Sequence, residues 1–263
     1  MSTPAKALLG LVVTGIGTAI TLLVTNYLPS INDTISSGPP VDVVVQHDKP
    51  LTAAGQFAIP ETLSGNPLRL KSLATEHPEA VPVGGFGLKL ILEGRRSQPV
   101  VITELRAHVL TRSKPLAGTL ITVPSQGLNT DVSGCMYLAD TAPTLVAADP
   151  SGSVCEPTAP PLFTTHHLTL NRGEQAVINV QAMVSRSNPA PTVPTTGSYE
   201  WEFVLSVVQN GKSTDLTIRD GTQPFRLTSY APGYQAVYSG NDVMTAVDPA
   251  QWLRQAFPDG PPR

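Results

Sequence analysis

The sequence predicts a mainly β chain: an N-terminal transmembrane helix, an immunoglobulin-like or jelly-roll-like β-sandwich, and a short C-terminal helix. Three observations predict it. The first segment is apolar and carries no charge between Ala7 and Asn32. Most of the remainder alternates apolar and polar residues with a period of two, broken by Gly, Pro, Asn and Asp. Near the C-terminus, Asn210-Gly211 centres a hairpin whose register is consistent on both faces.

The apolar segment comes first. About 20 residues rising 1.5 Å each cross a hydrocarbon layer ~30 Å thick, so this stretch is long enough for an anchor. It exceeds the apolar core of a cleaved signal peptide and shows no A-x-A-like cleavage site. Lys6 precedes it, and no Lys or Arg follows until after Asp48. The positive-inside rule then puts the N-terminus in the cytoplasm and the rest outside, making a single-pass cell-membrane protein. Gly15-Ile16-Gly17-Thr18-Ala19 offers small-xxx-small steps that can pack a weak homodimer of membrane helices. Residues 1–28 therefore read as stub and membrane helix, and the Pro-, Ser- and Gly-rich residues 29–40 as a linker. Residues 41–240 read as the extracytoplasmic sandwich and 241–263 as a tail with the helix.

Composition narrows the partners. Charged residues are 14% of the chain, below the ~25% of ordinary soluble domains, while 41% are apolar and can build a core. With 17 basic against 20 acidic residues there is no cationic surplus to displace phosphate counterions, which argues against nucleic acid. Lys89, Arg95, Arg96, Arg106, Arg112 and Lys114 gather locally against Glu93 and Glu104, the pattern of a solvated sheet face. Cys135 and Cys155 are the only two cysteines. In an oxidising compartment they should pair, closing a loop of about 20 residues worth ~3 kcal/mol. A redox centre would need C-x-x-C spacing, and a zinc site would need more ligands.

The strands follow in order. Val41–Gln46 is the first, and the long stretch after it reads as irregular with one helical turn near Leu68–Leu73. Gly87–Gly94 is the next. In 100–112, Val101, Thr103, Leu105, Ala107 and Val109 share one face, with Glu104, Arg106 and His108 on the other. Further strands are expected over 118–123, 135–139, 164–170 and 175–185, the last burying Ala176, Ile178, Val180, Ala182 and Val184. The total is roughly eight to ten strands.

Gly211-Lys212-Ser213 raises the question of a phosphate-binding loop. That motif requires a glycine at 206, where Ser206 stands. The hairpin meets stricter conditions: Asn and Gly tolerate the positive φ of a two-residue turn best. Gln209 then faces Lys212, Leu205 faces Leu216, and Phe203 faces Ile218, with Glu202 beside Arg219 on the other face. After this hairpin, Asp220-Gly221 turns into a short strand. In 248–257, Asp248 caps and Pro249 opens a helix bearing Trp252, Leu253, Ala256 and Phe257 as an apolar stripe.

Candidate chemistry is sparse. His47, His77, His108, His166 and His167 show no metal-binding spacing, since neighbours on a strand point to opposite faces. No cofactor motif is visible. Glu200 and Glu202 share a strand face, as paired carboxylates in a glycoside hydrolase do, but chance gives the same spacing to any exposed face. No G-x-S-x-G is present. Tyr230, Tyr234 and Tyr238 are candidates to line a sugar or peptide groove, and Trp252 to contact a partner.

Two stretches, Ile91–Leu120 and Tyr199–Thr228, resemble an uncharacterised family of membrane-anchored β-domain proteins of high-G+C bacteria. Gly94-Arg95, Arg112, Pro115 and Gly118-Thr119 carry the first motif. Trp201, Gly221, Pro224, Phe225 and Arg226 carry the second. The resemblance implies a membrane-tethered β domain and brings no activity with it.

Together these features lead us to expect a binding or protein-interaction module of the cell envelope and not an enzyme. Two alternatives stand beside it. One is a hydrolase assembled from distant residues such as His108, His166 and Glu202. The other is a structural subunit that docks through the Trp252 helix.

Overall fold

The computed structural model describes residues 38–47, 50–52, 54–65, 67–124, 132–148, 155, 158–184 and 197–258. The expected membrane helix, its small-residue steps and most of the linker lie outside these residues. Among the described residues no helix is long and apolar enough to cross a membrane.

The chain is mainly β. It opens with β1 (Val41–Gln46), β2 (Gly55–Ile59), β3 (Leu68–Arg69), α1 (Leu70–Glu76), β4 (Val81–Pro82) and β5 (Gly85–Gly94). Next come β6 (Val100–Ser113), β7 (Thr119–Val123), β8 (Gly134–Tyr137), β9 (Val146–Ala147), α2 (Leu162–Thr165) and β10 (Leu168–Leu170). The last group is β11 (Gln175–Met183), β12 (Ser198–Gln209), β13 (Lys212–Ile218), β14 (Phe225–Thr228), β15 (Ala236–Gly240), β16 (Val243–Val247) and α3 (Pro249–Ala256).

Two sheets share one core. The first has the order β1-β5-β11-β8-β9; the second is β10-β6-β12-β13, with β14 also paired to β12. Leu88, Leu90, Leu92, Ile178, Val180 and Ala182 meet Ile102, Leu105, Trp201, Phe203 and Leu205 between them. Phe225 binds this core together: its ring centroid lies 5.6 Å from Trp201 and 5.1 Å from Phe203. The hairpin adopts the expected register, pairing Gln209 with Lys212 and Phe203 with Ile218. Asn210 and Gly211 have φ of 50° and 72°, the geometry that a two-residue turn imposes.

Strand β6 departs from its simple alternation. Its register against β12 shifts between Ser206 and Val207, leaving Thr103 as an extra residue, and again between Glu200 and Trp201, leaving Leu110. Each extra residue reverses the inside–outside phase. Val100 and Ile102 therefore face the core in place of Val101 and Thr103, and the phase returns to Leu105 and Ala107 beyond the bulge. The segment 164–170 is also corrected: Leu162–Thr165 turns as α2, and only Leu168–Leu170 pairs, against Val100–Ile102 of β6.

A third sheet lies outside the sequence expectation. Its six strands run β3-β16-β15-β7-β2-β4. Phe57, Ile59, Ile121 and Tyr238 pack with Leu73 of α1 on one face. On the other, Ala58, Leu120 and Val237 pack with Trp252 of α3. With both faces covered, a strand reads as an unbroken apolar run, and Phe57-Ala58-Ile59 shows no alternation to betray it. The short β16 lies within the segment expected as a tail.

The third sheet meets the two-sheet body beside Val83 and Gly84. Val83 N–H donates to Gln56 O (2.8 Å) and Gly84 N–H to Thr228 O (2.8 Å), while Gly84 O accepts from Val184 N–H (3.2 Å). Thr228 is fully buried, and its hydroxyl accepts from Leu116 N–H. Gly84 has φ of +80°, and a Cβ there would press on the Tyr230 ring, so the position favours glycine.

Replacing Phe203 by Ala should lower unfolding stability by about 3–5 kcal/mol, because the vacated ring leaves a cavity in the shared core. Val177→Ala, on the open face of the first sheet, should lose under about 1 kcal/mol. Urea unfolding of both variants checks this, and equal losses would contradict the placement of the core.

Candidate functional site

The junction leaves a cleft along the seam between the two-sheet body and the third sheet. One lobe, about 460 Å³, is lined by His47, Glu79, Glu200, Asp220, Phe225 and Arg226, among others. A second lobe, about 710 Å³, is lined by Gln46, Gln56, Lys89, Asn179 and Gln181 above Gly85 and Gly87. His47, Pro82 and Phe86 border both. Each volume falls in the range of small-molecule sites, ~300–1,000 Å³.

His47 follows β1 and borders the seam. Its Nε2 lies 3.0 Å from Asp220 Oδ1, and its ring meets Phe86 edge-on at 5.1 Å. Glu79 Oε1 lies 2.8 Å from His77 Nδ1. Burial pushes the Glu79 carboxyl up. Its own backbone N–H, the His77 hydrogen bond and charge, and the charge of Arg226 together outweigh this and hold it below its ordinary value. Glu200 and Arg226 stand opposite each other across β12 and β14. The lobe thus holds fixed charges of both signs beside buried aromatic rings.

In the second lobe the side chains come from the outer face of the first sheet. Gln46, Lys89 and Asn179 form one row across β1, β5 and β11, and Gln181 lies beside Gly87 in the next row. At Gly85 and Gly87 the Gln181 amide lies where side chains would stand. Across the gap, Gln56 projects from β2, and its Oε1 accepts the Tyr230 hydroxyl proton.

The tyrosines expected to line one groove are separated. Tyr230 stands behind the cleft, orienting Gln56 and packing 5.0 Å from Phe257. Tyr234 is buried against Trp252, its hydroxyl oxygen accepting from Ala231 N–H, and burial raises its pKa. Tyr238 faces the opposite side of the third sheet and donates to Gly65 O at 2.8 Å. Trp252 is 8% exposed, so helix α3 docks on its own fold through this residue. Asp248 caps that helix, accepting from Gln251 N–H at 2.8 Å.

Cys135 and Cys155 form a disulfide with Cα atoms 5.9 Å apart. It packs with Tyr137 and Val146 in a small cluster, and Tyr137 O–H donates to Cys155 O. These surroundings suit a structural crosslink. Among the described residues no group of three or more His, Cys, Asp or Glu could hold a metal ion.

Of the three residues in the hydrolase alternative, two meet. His108 Nδ1 lies 3.1 Å from Glu202 Oε1, and Arg219 Nη2 lies 2.7 Å from Oε2. His166 precedes β10, which pairs with the far end of β6. Six strand residues, roughly 20 Å, separate that end from His108. Beside this pair Asp215 binds Arg106 and Ser206, each at 2.7 Å. Arg95 likewise pairs with Asp42 and Glu93, and Arg112 donates to the Leu138 and Asp140 carbonyls. Of the local basic group, Arg95, Arg106 and Arg112 are therefore engaged in ion pairs or backbone contacts. The seam cleft itself was not legible in the sequence, because β2 and β4 carried no strand signal. No protein-family model matches the chain, and no curated protein matches it.

Glu202 is 9% exposed at its side chain. The His108 hydrogen bond, ahead of Arg219, outweighs burial and holds its pKa below the ordinary 4.5. A depressed pKa gives stability that is present above the unfolded value and lost as the pH falls through the folded one. Glu202→Gln should therefore lose about 1 kcal/mol at neutral pH. The difference from wild type should shrink as the pH drops below 4.5. Urea titrations across that range check it, and a pH-independent loss would contradict the assignment.

Proposed function

We propose that the chain is a single-pass membrane protein whose extracytoplasmic part is a binding or protein-interaction module of the cell envelope. In this reading the two-sheet body is a β-sandwich of immunoglobulin-like or jelly-roll-like type, and the seam cleft is its binding site. The cleft carries the proposal. It is preformed between two rigid sheets, and convergent polar groups meet aromatic walls there, the usual makeup of a ligand site. The charge-free Ala7–Asn32 stretch supports membrane attachment. The Cys135–Cys155 bond supports an oxidising compartment.

The hydrolase alternative gains less. A carboxylate engaged by His108 and Arg219 is a weakened base, which suits a surface brace better than proton transfer.

In the native host, the full chain should resist carbonate extraction from membranes and be cleaved by protease added outside intact spheroplasts. Proximity labelling from its C-terminus should mark a component that is lost on Gly87→Trp, which fills the second lobe. A chain recovered in the cytosol with both thiols titratable would overturn the reading, as would labelling indifferent to Gly87→Trp.

A further inference from the structure

The second lobe presents an unusual set of side chains. Gln46, Asn179 and Gln181 project from paired strands into one cavity, and their amide groups make no side-chain hydrogen bond with another described residue. Gln56 enters from the opposite wall, its orientation set by the Tyr230 hydroxyl. Lys89 supplies one cation. The lobe is therefore rich in groups that both donate and accept, and poor in fixed charge.

We propose that this lobe is a saccharide-binding subsite, taking a short neutral oligosaccharide. The inference rests on the reading of the seam as a binding cleft and names the ligand class for one of its lobes. A primary amide carries a donor and an acceptor on adjacent atoms, as each sugar hydroxyl carries both on one. Gln46, Lys89 and Asn179 stand in a row across three strands. Adjacent strands lie ~4.8 Å apart, so the row spans roughly 10 Å and can follow consecutive hydroxyl groups. At the floor the Gln181 amide lies over Gly85 and Gly87, where it can meet the hydroxyls of a ring placed above it.

The lining argues against an extended peptide. Peptides recognised by sheets add to an unpaired strand edge and bond through the main chain. Here β5 is paired on both sides, to β1 and β11, and β2 is paired to β7 and β4. The edge strands β1 and β4 border the lobe only through their last residues, Gln46 and Pro82, and the remaining strand lining offers mainly side chains, which suit hydroxyls.

The test uses the full-length protein in detergent on a glycan array, with a random octapeptide library as the contrasting probe. Retained glycans are then followed by saturation-transfer NMR. Wild type should retain at least one neutral glycan. Gln181→Ala and Asn179→Ala should each weaken it by tenfold or more with unchanged melting temperature, and Gly87→Trp should abolish it. Retention of no glycan overturns the proposal, as does retention that both alanine variants leave unchanged or selection of peptides alone. If labelling of a Gly87-dependent partner persists without glycan binding, the saccharide assignment fails while the binding module stands.

Discussion

Backbone hydrogen bonds at Val83 and Gly84 tie the third sheet to the two-sheet body. Val83 bonds β2 in the third sheet, and the next residue bonds Thr228 at the end of β14 in the second. Within two residues the chain is tied to both. It then enters β5, which pairs with both β1 and β11 in the first sheet. The seam on either side of this tie is what becomes the cleft. The positive φ of Gly84 and the crowding by Tyr230 leave little latitude for another residue at that point.

Burial explains why this arrangement holds. Strand β12 contributes Trp201, Phe203, Leu205 and Val207 to the shared core, all nearly inaccessible. Phe225, from the strand that leads into the junction, stacks on the same rings. The third sheet has its own apolar layers on both faces, closed by α1 and α3. The two units are joined by several chain crossings and by the hydrogen bonds at Val83 and Gly84, and the seam runs between them.

What was legible in the sequence was whatever had one wet and one dry face. The 202–218 hairpin could be placed residue by residue because apolar and charged pairs had to fall on opposite faces, and Arg219 does reach Glu202. Strands β5 and β11 were readable for the same reason. The bulges at Thr103 and Leu110 were not, because inserting one residue leaves composition unchanged while inverting the phase. Strands β2, β4 and β16 were invisible: they are short or covered on both sides, and Pro82 stands inside one of them. The cleft depends on those strands, so its lining was not singled out in the sequence, while Tyr234 and Tyr238 pack within the third sheet. The disulfide was legible because an even, minimal cysteine count leaves a single pairing.

The central claim is that the junction is a formed element of structure and the cleft therefore preformed. Amide hydrogen exchange at Val83 and Gly84 tests this most directly. Both should exchange as slowly as amides in the middle of β12, such as Phe203. Exchange at the rate of an unprotected loop, with β12 still protected, would mean that the two halves are not tied there and that no standing cleft exists.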